Sequence, residues 1–96
     1  MGDPNDQYLE IVYQHWPHIV MLYEQFAEKR PVMLFDIQEQ RIHALPYASY
    51  RAELSKRSQA SVKKHYERAN ANGEIGVFVR DNEHEKLVSY SLPLHA

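Results

Sequence analysis

The chain has 96 residues, 44% of them hydrophobic and 11% aromatic, with a formal net charge of −2, which is enough apolar material for one globular domain of residues 1–96 and points away from a disordered chain. It has no cysteine, so disulfide frameworks, thiolate metal sites, iron–sulfur clusters and cysteine nucleophiles are excluded together. The start MGDPNDQYLE is polar and acidic and no apolar run approaches the roughly 18 residues that span a bilayer, so a soluble cytoplasmic protein without a membrane partner is expected.

The first element is predicted as a helix over residues 4–29. Asp3 can cap it, Pro4 suits the first helical position, and Asp6 complements the dipole in the first turn. Tyr8, Val12, Trp16, Ile19, Val20, Tyr23 and Phe26 step by three and four into one stripe. Pro17 removes the hydrogen bond back to Tyr13. The stripe keeps its phase across the proline, which predicts a kink more than two separate helices.

Arg30 and Pro31 end that helix, and residues 32–37 follow as a nearly continuous apolar run, the pattern of a strand buried on both faces. Gln38, Glu39 and Gln40 make a polar turn, residues 41–45 return with Ile42 and Ala44 on one face, and Pro46 closes the hairpin. A second helix is predicted over 47–72, with a thin stripe of Tyr50, Leu54, Val62, Tyr66 and Ala69 and with Gly73 as its left-handed cap. Strands at 75–79 and 87–92 then flank the turn Asp81-Asn82-Glu83-His84.

The two hairpins resemble each other. Asp36 precedes Ile42 by six positions and Asp81 precedes Leu87 by six; Arg41 and Lys86 stand just before those apolar residues, and both hairpins end in Leu-Pro. Tyr23-Glu24-Gln25 and Tyr66-Glu67-Arg68 fall at similar places in the two helices. The pattern is that of two αββ units, about 4–46 and 47–93, in the order α-β-β-α-β-β; turn chemistry alone is the rival explanation. The predicted product is an α+β fold with one four-stranded antiparallel sheet, helices mainly on one face, and the runs at 32–37 and 75–79 in the centre.

Enzyme motifs are sparse. There is no glycine-rich phosphate loop, nucleophile elbow or HExxH. His15 and His18 share a helix-like spacing but flank Pro17, and they are expected to be ordinary flank histidines. Asp36 and Asp81 are expected to be turn formers that bond the backbone ahead of them. No catalytic, cofactor or metal residue is assigned.

The charge distribution is more informative. In residues 50–68, Arg51, Lys56, Arg57, Lys63, Lys64 and Arg68 stand against Glu53 and Glu67, leaving +4, so the remainder carries −6 of the net −2. Arg57, Lys64 and Arg68 recur at seven and four, and Lys56 and Lys63 at seven. Such a ridge can neutralise phosphates, with Ser55, Ser58, Ser61 and Gln59 able to add hydrogen bonds, or face an acidic protein, although a sequence pI near 6.3 is low for a nucleic-acid binder. Tyr47, Tyr50, Tyr66 and Tyr90 have the ring and polar tip suited to a shared surface, the rival being a tyrosine-rich core edge. The candidate interaction surface is therefore Arg57, Lys63, Lys64, Arg68, Tyr50 and Tyr66. First comes a non-enzymatic interaction or regulatory module acting through protein–protein contacts as a homodimer, because strands apolar on both faces have amphipathic helix enough for one. Second is a nucleic-acid-associated protein using the basic helix, and third a small enzyme with an acidic or histidine site near the hairpins.

Overall fold

The computed structural model describes residues 4–94, with the side chains of residues 4–6 and 53 excepted. The capping role of Asp3 and the dipole role of Asp6 lie outside what is described. Helices α1 (Pro4–Gln14) and α2 (Trp16–Gln25) lead into a single 3-10 turn, Ala27–Lys29. Strands β1 (Val32–Asp36) and β2 (Arg41–Leu45) form the first hairpin, a 3-10 turn (Tyr47–Ser49) runs into α3 (Tyr50–Glu53), α4 (Lys56–Ala71) follows, and β3 (Glu74–Asp81) and β4 (Lys86–Pro93) form the second hairpin.

Both long helices of the sequence analysis are split. The first breaks at His15, which has φ −105° and ψ 10° and leaves Pro17 in the opening turn of α2, where a missing N–H costs nothing. The predicted kink is thus a break, with His15 still donating its amide to Ile11 at 3.2 Å. The first helix also stops short of residue 29, with Arg30 in the left-handed region at φ 50°. The second breaks at Leu54 and Ser55, both extended in ψ. Gly73 ends α4 region as predicted, at φ 71°, a conformation that a side chain disfavours.

The split before α4 explains the largest departure from expectation. The strand order is β2-β1-β3-β4, with both hairpins antiparallel but β1 and β3 parallel at the centre. Tyr47, just after β2, stacks on Tyr66 beneath Arg30, at the start of β1. Leu54 lies instead with Arg80 and Lys86, at the opposite end of the sheet. The segment 47–54 therefore carries the chain up the sheet, α4 brings it down, and β3 starts beside the start of β1. A single helix over 47–72 would have omitted one reversal and delivered an antiparallel centre. The sheet is mixed for that reason, while β1 and β3 are central as their apolar runs predict.

Helices cover both faces, not mainly one. Met33, Phe35, Ile75, Val77 and Val79 meet Tyr8, Val12 and Ile19 of α1 and α2 in one core. The alternate side chains Val32, Leu34 and Phe78 meet Tyr50, Leu54, Val62 and Tyr66 in a second. Each fully buried aliphatic side chain is worth roughly 1.5–3 kcal/mol of transfer free energy, and Met33, Leu34, Val77, Phe78 and Val79 are all within 1% of complete burial. The thin stripe of α4 suffices because α3 adds Tyr50 to it. Among the described residues no sheet face is left open, the sequence-based motive for a homodimer: α1 and α2 cover one side and α3 with α4 the other.

Candidate functional site: the α4 and β3–β4 cleft

The two hairpins end in four-residue loops closed by the pairs Asp36 with Arg41 and Asp81 with Lys86. In each, the residue three positions after the aspartate donates its amide to the carboxylate: Glu39 to Asp36 at 2.9 Å and His84 to Asp81 at 3.3 Å. In each, the last loop residue is left-handed, Gln40 and Glu85 both at φ 52°. These are turn aspartates as expected, and they are also buried, 1% and 3% exposed.

Beyond the turn they differ. Asp36 alternates with Val32 and Leu34, so it faces α4, and Arg80 Nε donates to it at 2.9 Å. Burial pushes its carboxyl up, but the Glu39 amide and the Arg80 guanidinium outweigh that and hold it below the usual range. Asp81 alternates with Val77 and Val79, so it faces α1. It accepts from Tyr8 at 2.5 Å, Gln38 Nε2 at 2.8 Å and His84 Nδ1 at 2.8 Å. The Tyr8 and Gln38 bonds hold its carboxyl well below the ordinary carboxylate range against the effect of burial. The same bond raises the Tyr8 hydroxyl above its usual value. Gln38 also accepts from the Asn82 amide at 2.8 Å, so one glutamine pins the two loops together. Carboxylates saturated in this way stay ionised near neutrality and are poorly suited to exchanging protons there.

A cavity of about 590 Å³ opens between the start of α4 and the β3–β4 hairpin. Leu54 and Leu87 give it an apolar part, Ser55, Ser58 and Ser61 line the helix side, and Arg57, Arg80 and Lys86 bring positive charge from three elements. Asn82 and Glu85 close the loop side, Glu85 being the acid among the described lining residues. Arg80 is held in place by Asp36, and Ser55 caps α4 with its hydroxyl accepting from the Ser58 amide at 3.4 Å. The first turn of α4 contains Lys56 and Arg57 and no acid.

Of the residues singled out from the sequence, Arg57, Lys63, Lys64 and Arg68 are exposed on α4, and only Arg57 lines the cleft. Arg57, Ser61, Lys64 and Arg68 follow one another by four, three and four, a single line along the helix, whereas Lys56 and Lys63 form a separate line. Tyr50 and Tyr66 are core residues, 2% and 4% exposed, and cannot present an interaction surface. Tyr47 stacks between them, 5.2 Å from Tyr50 and 4.6 Å from Tyr66, under the Arg30 guanidinium. The serines Ser55, Ser58 and Ser61, named from the sequence as hydrogen-bonding partners of the ridge, do line the cleft, whereas Arg80 and Lys86 were missed because they converge with them only in space. No local signal marked Arg80 and Lys86, and the two cations in the first turn of α4 become telling only once the break at Leu54 and Ser55 is known.

Elsewhere, His15 packs on Phe35 at 4.9 Å with Nδ1 2.9 Å from the Ile11 carbonyl, beside a smaller cavity of about 250 Å³. Among the described residues, Asp81, Glu83 and His84 have ligand atoms within 4.8 Å of one another, but Asp81 and His84 already bond each other. No helix among the described residues is long and apolar enough to cross a membrane. Comparison with family models, curated proteins and solved structures finds no match for this chain.

Proposed function

We propose that the protein is a binding module for phosphate-bearing ligands, taken into the cleft between α4 and the β3–β4 hairpin. The observation that carries this reading is the convergence of Arg57, Arg80 and Lys86, from three separate elements, on one cavity that also holds three serine hydroxyls. Lys56 and Arg57 add weight to it. A cation in the first turn of a helix is unfavourable by about 0.3–1 kcal/mol, and an anion seated in the cleft reverses that sign.

The line from Arg57 through Ser61 and Lys64 to Arg68 continues the positive surface along α4 over about 16 Å, at 1.5 Å per residue. A nucleic-acid strand, which offers phosphates at regular intervals, uses that length, whereas a mononucleotide uses only the cleft. The nucleic-acid form of the reading is therefore preferred to an acidic protein partner, which would not need the cavity. The likeness of the two hairpin turns supports, in the same proposal, an origin as two αββ units.

The test is binding of labelled short oligonucleotides by anisotropy, with inorganic phosphate and AMP as competitors. Binding at low salt that weakens steeply as salt rises is expected, with Arg57→Glu plus Lys86→Glu lowering affinity at least tenfold and Lys63→Glu, on the other line, changing it little. Competition by AMP as effective as by oligonucleotide restricts the ligand to a small phosphate compound. Failure of every phosphate probe to bind removes the proposal.

A further inference from the structure

The break at Leu54 and Ser55 forms one lip of the cleft, and a single side chain holds it. Helix α3 is only four residues long, so the carbonyls of its last turn have no partner within it. Two carbonyls at this joint accept instead from one group: the Gln59 side-chain amide donates to Arg51 at 2.8 Å and to Leu54 at 2.9 Å. Ser55 is held by the backbone of the same turn of α4, its carbonyl accepting from the Ser58 amide at 3.0 Å and the Gln59 amide at 3.1 Å. Residues 58 and 59 thus fix the whole joint.

Gln59 has no donor left for a ligand. Its side-chain nitrogen carries two N–H groups, and the Arg51 and Leu54 carbonyls take both, so the hydrogen bond to a phosphate that the sequence suggests for it is not available. It also stands off the cleft. The lining residues of this region are Leu54, Ser55, Arg57, Ser58 and Ser61, and Gln59 lies roughly 160° around α4 from both Arg57 and Ser61.

We infer that Gln59 is the positioning residue of the cleft: by tying the end of α3 to the start of α4, it sets where Leu54, Ser55 and Arg57 stand relative to Arg80 and Lys86. The inference rests on the phosphate-binding reading of that cleft. Arg80 and Lys86 belong to the sheet, and Arg80 is fixed there by Asp36 of β1. Ser55 and Arg57 belong to α4. Groups from the two sides meet one phosphate only at a defined separation, and a site whose supporting contacts are loosened loses affinity. Without the Gln59 amide, the freed carbonyls turn towards water. Leu54 stays anchored in the second core, 8% exposed and packed with Tyr50, so the fold persists and what is lost is the set of the lip.

Calorimetric titration of the full chain with AMP and with inorganic phosphate tests this. Gln59→Met keeps the length of the side chain and removes both donors; it is expected to fold, by circular dichroism, and to bind each probe about fivefold more weakly than wild type. Gln59→Asn keeps the amide but is one methylene too short, and it is expected to weaken binding in the same sense, so the result does not depend on one variant folding. Val12→Ala, buried on the opposite face of the sheet, is the control for a general loss of stability: a lower urea midpoint with wild-type affinity is expected. Wild-type affinity in the Gln59 variants overturns the inference and leaves the cleft reading standing, and so does an equal weakening in Val12→Ala. A wild-type chain that binds neither probe removes both.

Discussion

Asp36 and Asp81 begin from one local design and reach opposite sides of the sheet. The loops that follow them have the same length, the same amide bond at the third residue and the same left-handed closing position. Yet Asp36 is balanced by a cation from the neighbouring central strand, and Asp81 by the neutral donors of Tyr8 and Gln38 together with His84. The turn determines that an aspartate stands there. Which face it is given, and so whether arginine or tyrosine answers it, is determined by its place in the strand's alternation, with Val32 and Leu34 for Asp36 and with Val77 and Val79 for Asp81.

The difference can be broken hardest at Arg80. Arg80→Ala strips the cation from a carboxylate that is 1% exposed, and removing one member of a buried pair costs about 3–5 kcal/mol; urea unfolding should show a loss near the lower figure, since Arg80 itself is partly exposed. Tyr8→Phe removes one donor to a charged group and leaves the others, so about 1.5–3 kcal/mol is expected from the same measurement.

Acid sharpens the comparison. Both carboxyls are held below their unfolded value of 3.8, so the unfolded chain binds protons first on acidification. Their contribution is complete above that value and is lost as pH falls through and below it. The slope of stability against pH below about pH 4 should become shallower by about one proton in Asp81→Asn. His84→Ala is the mildest change, within about 1 kcal/mol, because the backbone amide of residue 84 still reaches Asp81 and the imidazole side chain is 63% exposed.

The sequence carried the strands well because their signals are local. Unbroken apolar runs marked β1 and β3 as central, the stripe of Tyr50, Leu54, Val62, Tyr66 and Ala69 marked what α3 and α4 bury, and Gly73 marked the left-handed stop. The break at Leu54 and Ser55 was hidden inside a stripe that keeps helical phase across it. That one concealed reversal accounts for the parallel centre and for the second covered face. The cleft was half visible: Arg57 stood out as part of a charge pattern, but Arg80 and Lys86 sit in strand sequence with no local mark, and only topology brings them over the start of α4. Tyr50 and Tyr66 misled because a tyrosine whose hydroxyl finds a partner, as Tyr66 finds the Arg30 carbonyl at 2.9 Å, is as much at home in a core as on a surface.

The parallel pairing of β1 with β3 also orders events in time. Each hairpin joins near neighbours in the chain and can close within about 1–10 µs, but Met33 meets Val77 only after the whole intervening segment has been laid down. The sheet's centre is therefore expected to close after the hairpins, with the folding rate following that long-range docking and not the formation of either hairpin. Until it closes, the five apolar-flanked positions of β1 stand with one edge open, and the interval before β3 arrives is when this chain is most exposed to aggregation.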